Sequence, residues 1–362
     1  MIPPMMRMLP ILIVCAAASP ARANAAPQEP CRDAPAAESG ANARDETDLD
    51  LSFQGNNAAM NASGDQEASE QNVIVLSDAT GAAAVVAPAA GGRILAFRPA
   101  GAPGNVFWTP PPGDSILYGW NNHGGEKTWI GPQARWRGMA GKGWPPPAFF
   151  DQDRYEVLPG ATAAAATILS PAPEGGDCPC RVERAVSLSD GVLRVESRLV
   201  PAAGAGAADG ADEFIAWSVL QTPFARRVAV RPAPPARVLN GEDGADPLPE
   251  PDKADGGVLV YDLAAVDGVA NAKGYFDADA IAAELPGGTL VARRVATPED
   301  PDPASVPFPE HARAELFAGG LDASPAKRYL ELEFTSTGTR RLVVEYAFLP
   351  GVPCDRALAP RP

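Results

Sequence analysis

Residues 181–200 read RVERAVSLSDGVLRVESRLV, and this stretch decides the fold class. It consists of two runs rich in β-forming residues, the first around Val182 and the second around Val195. Asp190-Gly191 lies between them, a dipeptide typical of tight turns between antiparallel strands. The stretch therefore predicts a β-hairpin.

Strand patterns recur outward from this hairpin, from Asn72 to Leu349, whereas helix patterns hardly occur. In residues 329–334 polar Tyr and Glu alternate with Leu and Phe, which indicates one polar face and one core face. A short helix is predicted at Asp277 to Glu284, where Asp277 would cap the start and Pro286 follows the end. About a dozen strands joined by long Pro/Gly loops predict an all-β protein, a large antiparallel β-sandwich.

The first residues predict a signal peptide over 1–25. Arg7 precedes an apolar run from Met8 to Ala18, and small residues near Ala23 to Ala25 offer a cleavage site. The later sequence contains no apolar stretch of about twenty residues, so no membrane anchor is expected. These features predict export to a bacterial periplasm or beyond.

Residues 26–70 predict a disordered acidic linker. They contain ten acidic residues and two arginines, with almost no large apolar side chain, so burial cannot offset the entropy of ordering them. They carry about half of the formal net charge of −15, and this acidic balance argues against nucleic acid as a partner. One large domain is expected over 71–350, followed by a C-terminal tail over 351–362.

Four cysteines remain after removal of the signal peptide, at positions 31, 178, 180 and 354. An even number in an oxidising compartment predicts a disulfide that joins Cys178 or Cys180 to Cys31 or Cys354. A Cys-x-Cys metal site lacks nearby partners, and the chain has only two histidines, so no metal is expected. The sequence contains no phosphate-binding loop, dinucleotide fingerprint or serine-hydrolase motif, and no cofactor is expected.

Five of the six tryptophans lie in residues 108–144, which read WTPPPGDSILYGWNNHGGEKTWIGPQARWRGMAGKGW. Gly and Pro are too dense here for a regular helix. A surface built from loops, with Trp to stack on a pyranose and polar groups to bind its hydroxyls, is typical of a sugar-binding cleft. The alternative is that the tryptophans fill a core beneath long loops.

Three blocks carry a resemblance to a known family. They are GGRILAFRPAGAPGNVFWTP (91–110), GGEKTWIGPQ followed by WPPP and a stretch with Asp and Tyr (124–155), and AELFAGG, RYLELEFTS and RLVVEYAFLP (314–350). Over roughly 71–350 the chain resembles a bacterial domain family of unknown function that is allied to the galactose mutarotase-like (aldose 1-epimerase-like) superfamily. The resemblance implies a β-supersandwich with a carbohydrate-binding cleft.

Mutarotases of that superfamily use a histidine acid and a glutamate base, so the resemblance implies catalytic roles for His123 and for Glu126 or Glu315. The ligand-binding residues are predicted from the tryptophan-rich segment and the stretch after it: Lys127, Trp129, Gln133, Arg135, Trp144 and Asp151. The predicted function is an exported mutarotase-like carbohydrate-binding protein, with sugar epimerase activity if an acid and a base converge.

The role of Glu126 stays open at this point. If Lys127 and Trp129 face the cleft from an extended strand, Glu126 faces the opposite side and braces the loop. The basic pair Lys127 and Arg135 favours an acidic sugar as partner.

The function also has an alternative, which is a non-catalytic carbohydrate-recognition or envelope structural domain. The oligomeric state is left open.

Overall fold

The computed structural model describes residues 73–114, 116–117 (backbone only), 120–173, 178–202, 214–234, 236–241, 244–266, 268–302 and 312–359. The predicted signal peptide, the predicted acidic linker, Cys31 and His311 lie outside these described residues.

Strands make up most of the regular structure. In chain order they are β1 (Ile74–Ser77), β2 (Ala83–Ala87), β3 (Arg93–Arg98), β4 (Ile116–Leu117), β5 (Trp120–Asn121), β6 (Glu126–Gly131), β7 (Glu156–Val157), β8 (Ala165–Leu169), β9 (Cys180–Ser189), β10 (Val192–Pro201), β11 (Ile215–Pro223), β12 (Arg227–Pro232), β13 (Val238–Asn240), β14 (Asp246–Pro247), β15 (Asp252–Lys253), β16 (Leu259–Asp262), β17 (Asn271–Phe276), β18 (Ala278–Leu285), β19 (Gly288–Arg294), β20 (Ala314–Gly319), β21 (Tyr329–Thr335) and β22 (Arg341–Pro350). The described α-helices are short: α1 (Trp136–Ala140), α2 (Ala148–Asp151) and α3 (Cys354–Leu358). Single 3-10 turns occur at Pro88–Ala90, Gln133–Arg135, Asp255–Gly257, Leu263–Val266 and Pro325–Lys327.

The strands form two large sheets. The first has the order β1-β2-β3-β6-β11-β21-β20-β17-β13, with β14 pairing with β17 in parallel. The second has the order β15-β16-β12-β18-β19-β22-β10-β9-β8-β7, and β4 pairs with β5 apart from both. All neighbours along these two orders pair antiparallel. The predicted large antiparallel β-sandwich is confirmed.

The hairpin that predicted the fold is present. Strands β9 and β10 pair antiparallel with Ser189 opposite Val192, which leaves Asp190 and Gly191 as a two-residue loop. Both loop residues have positive φ, 53° and 75°, as the tight hairpin turn requires. This hairpin lies in the second sheet, next to β22.

The core lies between the two sheets. Alternate residues of β21, with Leu332 as an example, meet residues of the second sheet such as Val344 in one continuous buried cluster. Polar bridges also join the sheets, since Thr128 Oγ1 and Ser197 Oγ lie 2.7 Å apart and both are buried. The face of the first sheet opposite this core is polar and remains available for a site.

The helix predicted at Asp277 to Glu284 is wrong, because Ala278–Leu285 forms strand β18. Its alanines are buried on both faces: Ala283 joins the core between the sheets, and Ala282 joins a smaller cluster beneath α3. Small side chains let packing on two sides override helix propensity. Asp277 pairs with Arg237 and does not cap a helix.

The predicted C-terminal tail contains helix α3 (Cys354–Leu358). Cys354 and Leu358 are fully buried in the small cluster on the outer face of the second sheet. The domain therefore extends past the predicted boundary at residue 350.

The predicted pairing of Cys178 or Cys180 with Cys354 is wrong, because these three cysteines are free and buried. The alternative pairing with Cys31 involves a residue outside the described part of the chain and stays a prediction. Cys354, the first residue of α3, packs in the small cluster on the second sheet. The Cys178 thiol donates a hydrogen bond to the Cys180 carbonyl.

Candidate functional site

A cleft of about 630 Å³ opens on the polar face of the first sheet. Its floor is made by alternate residues of β6, β11, β21, β20 and β17, and its walls by the loops near Trp108, Trp144 and Lys327. The volume falls within the usual range for small-molecule sites, about 300–1,000 Å³.

Aromatic side chains form one half of the cleft. Trp120 contacts Trp129 and Trp144 edge to face, with ring centroids 6.2 and 5.3 Å apart. Trp144 is 37% exposed, whereas Trp120 and Trp129 are nearly buried. Trp144 thus offers the accessible aromatic surface, and the other two indoles hold it in place.

Two further tryptophans extend this aromatic lining. Trp108 stacks on Tyr329 with ring centroids 4.7 Å apart, and its Nε1 donates to the Ala326 carbonyl. Trp217 lies in β11 beside Trp129. Trp136, in contrast, is fully buried and donates its indole N–H to the Ile130 carbonyl, so this one is a core residue.

Asp151 anchors the aromatic half from behind. Its carboxylate accepts the indole N–H of Trp120 at 2.6 Å and of Trp129 at 2.7 Å. Arg93 donates to the same carboxylate at 2.8 Å, and both members of this ion pair are fully buried. Asp151 does not line the cleft; it fixes the two rings that do.

Carboxyl groups form the other half. Glu315 on β20 lies directly opposite Glu333 on β21, and both side chains line the cleft. Lys273 on β17 donates to Glu315 at 2.9 Å, and the Trp217 indole donates to Glu333 at 2.6 Å.

Glu331 is the third carboxylate of this half, two residues before Glu333 on the same face of β21. It accepts a hydrogen bond from Gln221 at 2.8 Å and lies 3.5 Å from Lys127 Nζ. Lys127 is fully buried, and its ammonium group also lies over the rings of Trp120 and Trp129, at 5.6 and 4.8 Å. Lys127 therefore joins the two halves from below.

Burial shifts the pKa values of the ionisable groups in and beneath the cleft. It raises the pKa of Glu333 well above its usual value, and the neighbouring carboxylates Glu315 and Glu331 add to the effect. Burial also raises the pKa of Glu315, although Lys273 opposes this shift. Burial lowers the pKa of Lys127, and Glu331 opposes that change. The cleft thus contains a carboxyl group that keeps its proton well above the pH at which an exposed glutamate ionises.

The structure brings four of the predicted site residues to the cleft: Glu315, Trp129, Gln133 and Trp144. Five others do not line it: His123, Glu126, Lys127, Arg135 and Asp151.

Glu126 faces the core between the sheets and not the cleft. It is fully buried, forms an ion pair with Arg184 from the second sheet, and accepts a hydrogen bond from Ser218. Strand alternation explains this position, because Lys127 and Trp129 face the polar side. Of the alternatives that the sequence left open, the structure agrees with the one in which Glu126 faces away from the cleft.

His123 lies beside the cleft residue Asn122 without lining the cleft. Burial and the nearby Arg93 lower the pKa of His123 to about 4. The imidazole is therefore neutral at pH 7 and is not an imidazolium acid.

The residues that line the cleft do not favour an acidic sugar as ligand. Lys127 already faces Glu331, and Arg135 is exposed in the turn Gln133–Arg135 away from the cleft. The two lysines that do line the cleft face carboxylates as well, Lys273 with Glu315 and Lys327 with Asp114 at 2.8 Å.

The glycines before Glu126 serve close packing of the backbone. Gly124 and Gly125 have φ of 73° and 69°. A Cβ at Gly124 would lie 2.3 Å from the Trp108 carbonyl oxygen, and one at Gly125 would lie 2.3 Å from that of Ile94. The pair therefore lets β6 begin tightly against neighbouring backbone.

Among the cleft residues that sequence reasoning missed are Trp217, Lys273, Glu331 and Glu333. A signal for the two glutamates was present, since the alternation in residues 329–334 already indicated a polar face. The sequence contained no such signal for Trp217 and Lys273, because each lies alone on a strand distant in sequence from residues 108–144.

In the part of the chain that the structure describes, no three His, Cys, Asp or Glu side chains are grouped as metal ligands. The described helices are all too short or too polar to cross a membrane.

No protein-family model matches the chain, and no curated protein matches it in sequence. Several solved structures are similar in shape. A proposed aldose 1-epimerase from Escherichia coli K12 is 12% identical with a TM-score of 0.48, and the match covers 77% of this chain and 99% of that one. A galactose mutarotase related enzyme from Lactobacillus acidophilus is 10% identical with a TM-score of 0.47, and the match covers 77% and 98%.

A galactose mutarotase-like protein from Clostridium acetobutylicum is 10% identical with a TM-score of 0.42, and the match covers 75% of this chain and 94% of that one. At these identities and TM-scores no activity is assigned by likeness, and the sandwich rests on the strand pairing described above.

Proposed function

We propose that the protein binds a carbohydrate in this cleft and interconverts its anomers, as an aldose 1-epimerase-like isomerase. One observation carries the proposal: the accessible ring of Trp144 lines the same 630 Å³ cleft as a row of buried carboxyl groups. A sugar ring needs both kinds of contact, because its C–H face stacks on an indole and its hydroxyls need polar partners.

The lining supplies those polar partners in several chemical forms. Asn122, Asn271 and Gln133 offer amides, the two lining lysines offer donors, and the glutamates offer acceptors. Anomer interconversion further requires a proton donor and a proton acceptor at one carbon, and carboxyl groups of different protonation can fill both roles.

The alternative function is a non-catalytic carbohydrate-recognition or envelope structural domain. The ion pairs Lys273–Glu315 and Lys327–Asp114 favour it, because groups already paired within the protein serve recognition as well as they serve catalysis. Under either function we propose that the protein is exported to a periplasm or the cell exterior, on the strength of its first 25 residues.

The test has two stages. Isothermal titration calorimetry with a panel of aldoses identifies a ligand, and two-dimensional exchange NMR then measures the rate at which the protein interconverts the α and β anomers. Trp144→Ala serves as the site variant and Val157→Ala, an exposed residue outside the cleft, as its control. Binding with anomer exchange supports the isomerase, and binding without exchange supports the recognition domain. No binding to any sugar contradicts both of these and favours the envelope structural domain.

A further inference from the structure

The cross-strand pair Glu315 and Glu333 has the geometry of a shared-proton dyad. The two residues are directly opposite in the antiparallel pair β20–β21, and they are only 8% and 2% exposed. Both side chains line the same cleft. Two buried carboxyl groups held side by side in this way do not both ionise readily, so the pair holds one proton.

The surroundings make the two members unequal. Lys273 donates to Glu315 at 2.9 Å, which favours the ionised form there. Glu333 lies near the carboxylate of Glu331, whose negative charge favours the protonated form of Glu333. The Trp217 indole donates to Glu333 at 2.6 Å, but this donor carries no full charge, unlike Lys273 beside Glu315. Burial together with these carboxylates raises the pKa of Glu333, in agreement with this assignment.

Other charged or titratable groups face the pair from the neighbouring strands. They are Tyr275 on β17, opposite Glu315, and Lys127 on β6. Lys127 does not line the cleft. Its buried Nζ lies 3.5 Å from Glu331 and over the rings of Trp120 and Trp129, so its charge acts on the pair from beneath the lining.

Building on the proposed function, we propose that Glu333 and Glu315 are the acid and the base of anomeric ring opening. Carboxyl pairs suit this reaction because the ring oxygen and the anomeric hydroxyl are bonded to the same carbon. A donor and an acceptor held side by side therefore reach both oxygens at once.

The step balances within the dyad. The Glu315 carboxylate takes the proton of the anomeric hydroxyl, and the C1=O double bond forms. The bond from C1 to the ring oxygen breaks, its electron pair stays on that oxygen, and the oxygen takes the proton of Glu333. Rotation about C1–C2 then exposes the other face of the aldehyde. In the reverse step Glu333 takes back the proton of the ring oxygen and Glu315 returns its proton to the carbonyl oxygen as the ring closes, so both residues end as they began.

The charges of the lining point to a neutral aldose as substrate. Each lysine at the cleft already faces a carboxylate, in the pairs Lys273–Glu315, Lys127–Glu331 and Lys327–Asp114. A sugar carboxylate would have to compete for one of these cations in a buried, acidic setting. We therefore expect D-galactose to bind more tightly than D-galacturonate, which has the same ring with a carboxylate added.

The experiment compares Glu333→Gln and Glu315→Gln with the wild type, and Glu345→Gln is the matched control. Glu345 lies on the second sheet, half-exposed, in a pair with Arg194. Affinity for D-galactose and other neutral aldoses comes from calorimetry, and the anomerisation rate comes from exchange NMR. Each dyad variant should retain binding and lose about 100-fold or more in rate, the usual contribution of a general acid or base, while the control loses neither.

The wild-type rate should also follow a bell-shaped pH profile, because the dyad lacks a base when doubly protonated and lacks an acid when fully ionised. Full rate in either dyad variant overturns the acid–base assignment and leaves the proposed function standing. Absence of sugar binding in the wild type overturns the proposed function itself.

A measurement that needs no sugar tests the shared proton directly. Infrared difference spectra at pH 7 should show the C=O stretch of a protonated carboxyl group in the wild type and in Glu345→Gln, and its loss in Glu333→Gln. If the wild type lacks this band, the dyad is overturned. If Glu333→Gln does not fold, the wild-type band and its loss on raising the pH decide the question.

Discussion

Arg93 and Asp151 form an ion pair at 2.8 Å in which neither side chain is exposed. The pair lies directly behind the aromatic half of the cleft, since Asp151 also binds the indoles of Trp120 and Trp129. A buried pair of this kind adds little to stability compared with apolar packing, but loss of one partner leaves an uncompensated charge. Its role is therefore to fix the orientation of the two rings.

Asp151→Asn should destabilise the fold by about 3–5 kcal/mol, because Arg93 then loses its buried counter-charge. The amide also accepts indole N–H bonds less well, so tryptophan fluorescence should shift. Chemical denaturation measures the free energy of unfolding. Asp262→Asn is the control, since its pair with Arg226 is exposed and should contribute little to stability. Equal effects of the two substitutions would contradict the buried role of Asp151.

The tryptophans of residues 108–144 should separate into ligand-binding and core residues. Trp144→Ala should weaken sugar binding by about 1–3 kcal/mol and leave the melting temperature nearly unchanged, because Trp144 is at the cleft surface. Trp136→Ala should destabilise the fold by about 3–5 kcal/mol, because that ring is fully buried. Calorimetry and thermal unfolding on both variants make the comparison. Unfolding of Trp144→Ala would show that the aromatic half is only core.

Stability should decrease as pH rises because of Glu333. Its pKa is raised by burial and by the neighbouring carboxylates, so the folded protein holds a proton that the unfolded chain releases. This contribution is complete below the ordinary pKa of a glutamate and is lost as pH rises through the raised value. From about pH 5 to pH 8 the melting temperature of the wild type should therefore fall more steeply than that of Glu333→Gln, which stays neutral.

The comparison of Glu333→Gln with Glu345→Gln over the same pH range isolates the effect, because Glu345 is half-exposed. Parallel melting curves for the wild type and Glu333→Gln would mean that Glu333 is already ionised in the folded protein.

A chain that begins at Gln71 should have the same melting temperature as the mature chain. Residues 26–70 contain almost no large apolar side chain, so their removal should leave the core between the sheets unchanged. Differential scanning calorimetry on the two forms measures this. A loss of several degrees in the shorter form would show that these residues pack on the domain.

The sandwich was predictable because its signals are local. The Asp190-Gly191 turn fixed one hairpin, and the alternation in residues 329–334 assigned a polar and a core face within a single strand. The same local reasoning failed at Asp277 to Glu284, because alanine packs equally well in a helix or in a strand covered on both faces. Burial from two sides is a property of the assembled sheets.

The site was only half predictable for a similar reason. Trp129 and Trp144 lie close in sequence and were found, whereas Glu333 reaches them only through the pairing of β21 with β11 and of β11 with β6. The position of Glu126 required knowing which face of β6 meets Arg184. Contacts of this range depend on strand order, which local patterns do not encode.

The cleft draws its two halves from separate parts of the chain. Apart from Trp217, the tryptophans lie within residues 108–144, and the carboxyl groups of the dyad lie within 315–333. If the proposed function holds, substitutions of the exposed loop residue Trp144 would change which ligand fits while Glu315 and Glu333 stay intact. Lys127 is the exception within this segment, because it pairs with Glu331 and so ties the two halves together.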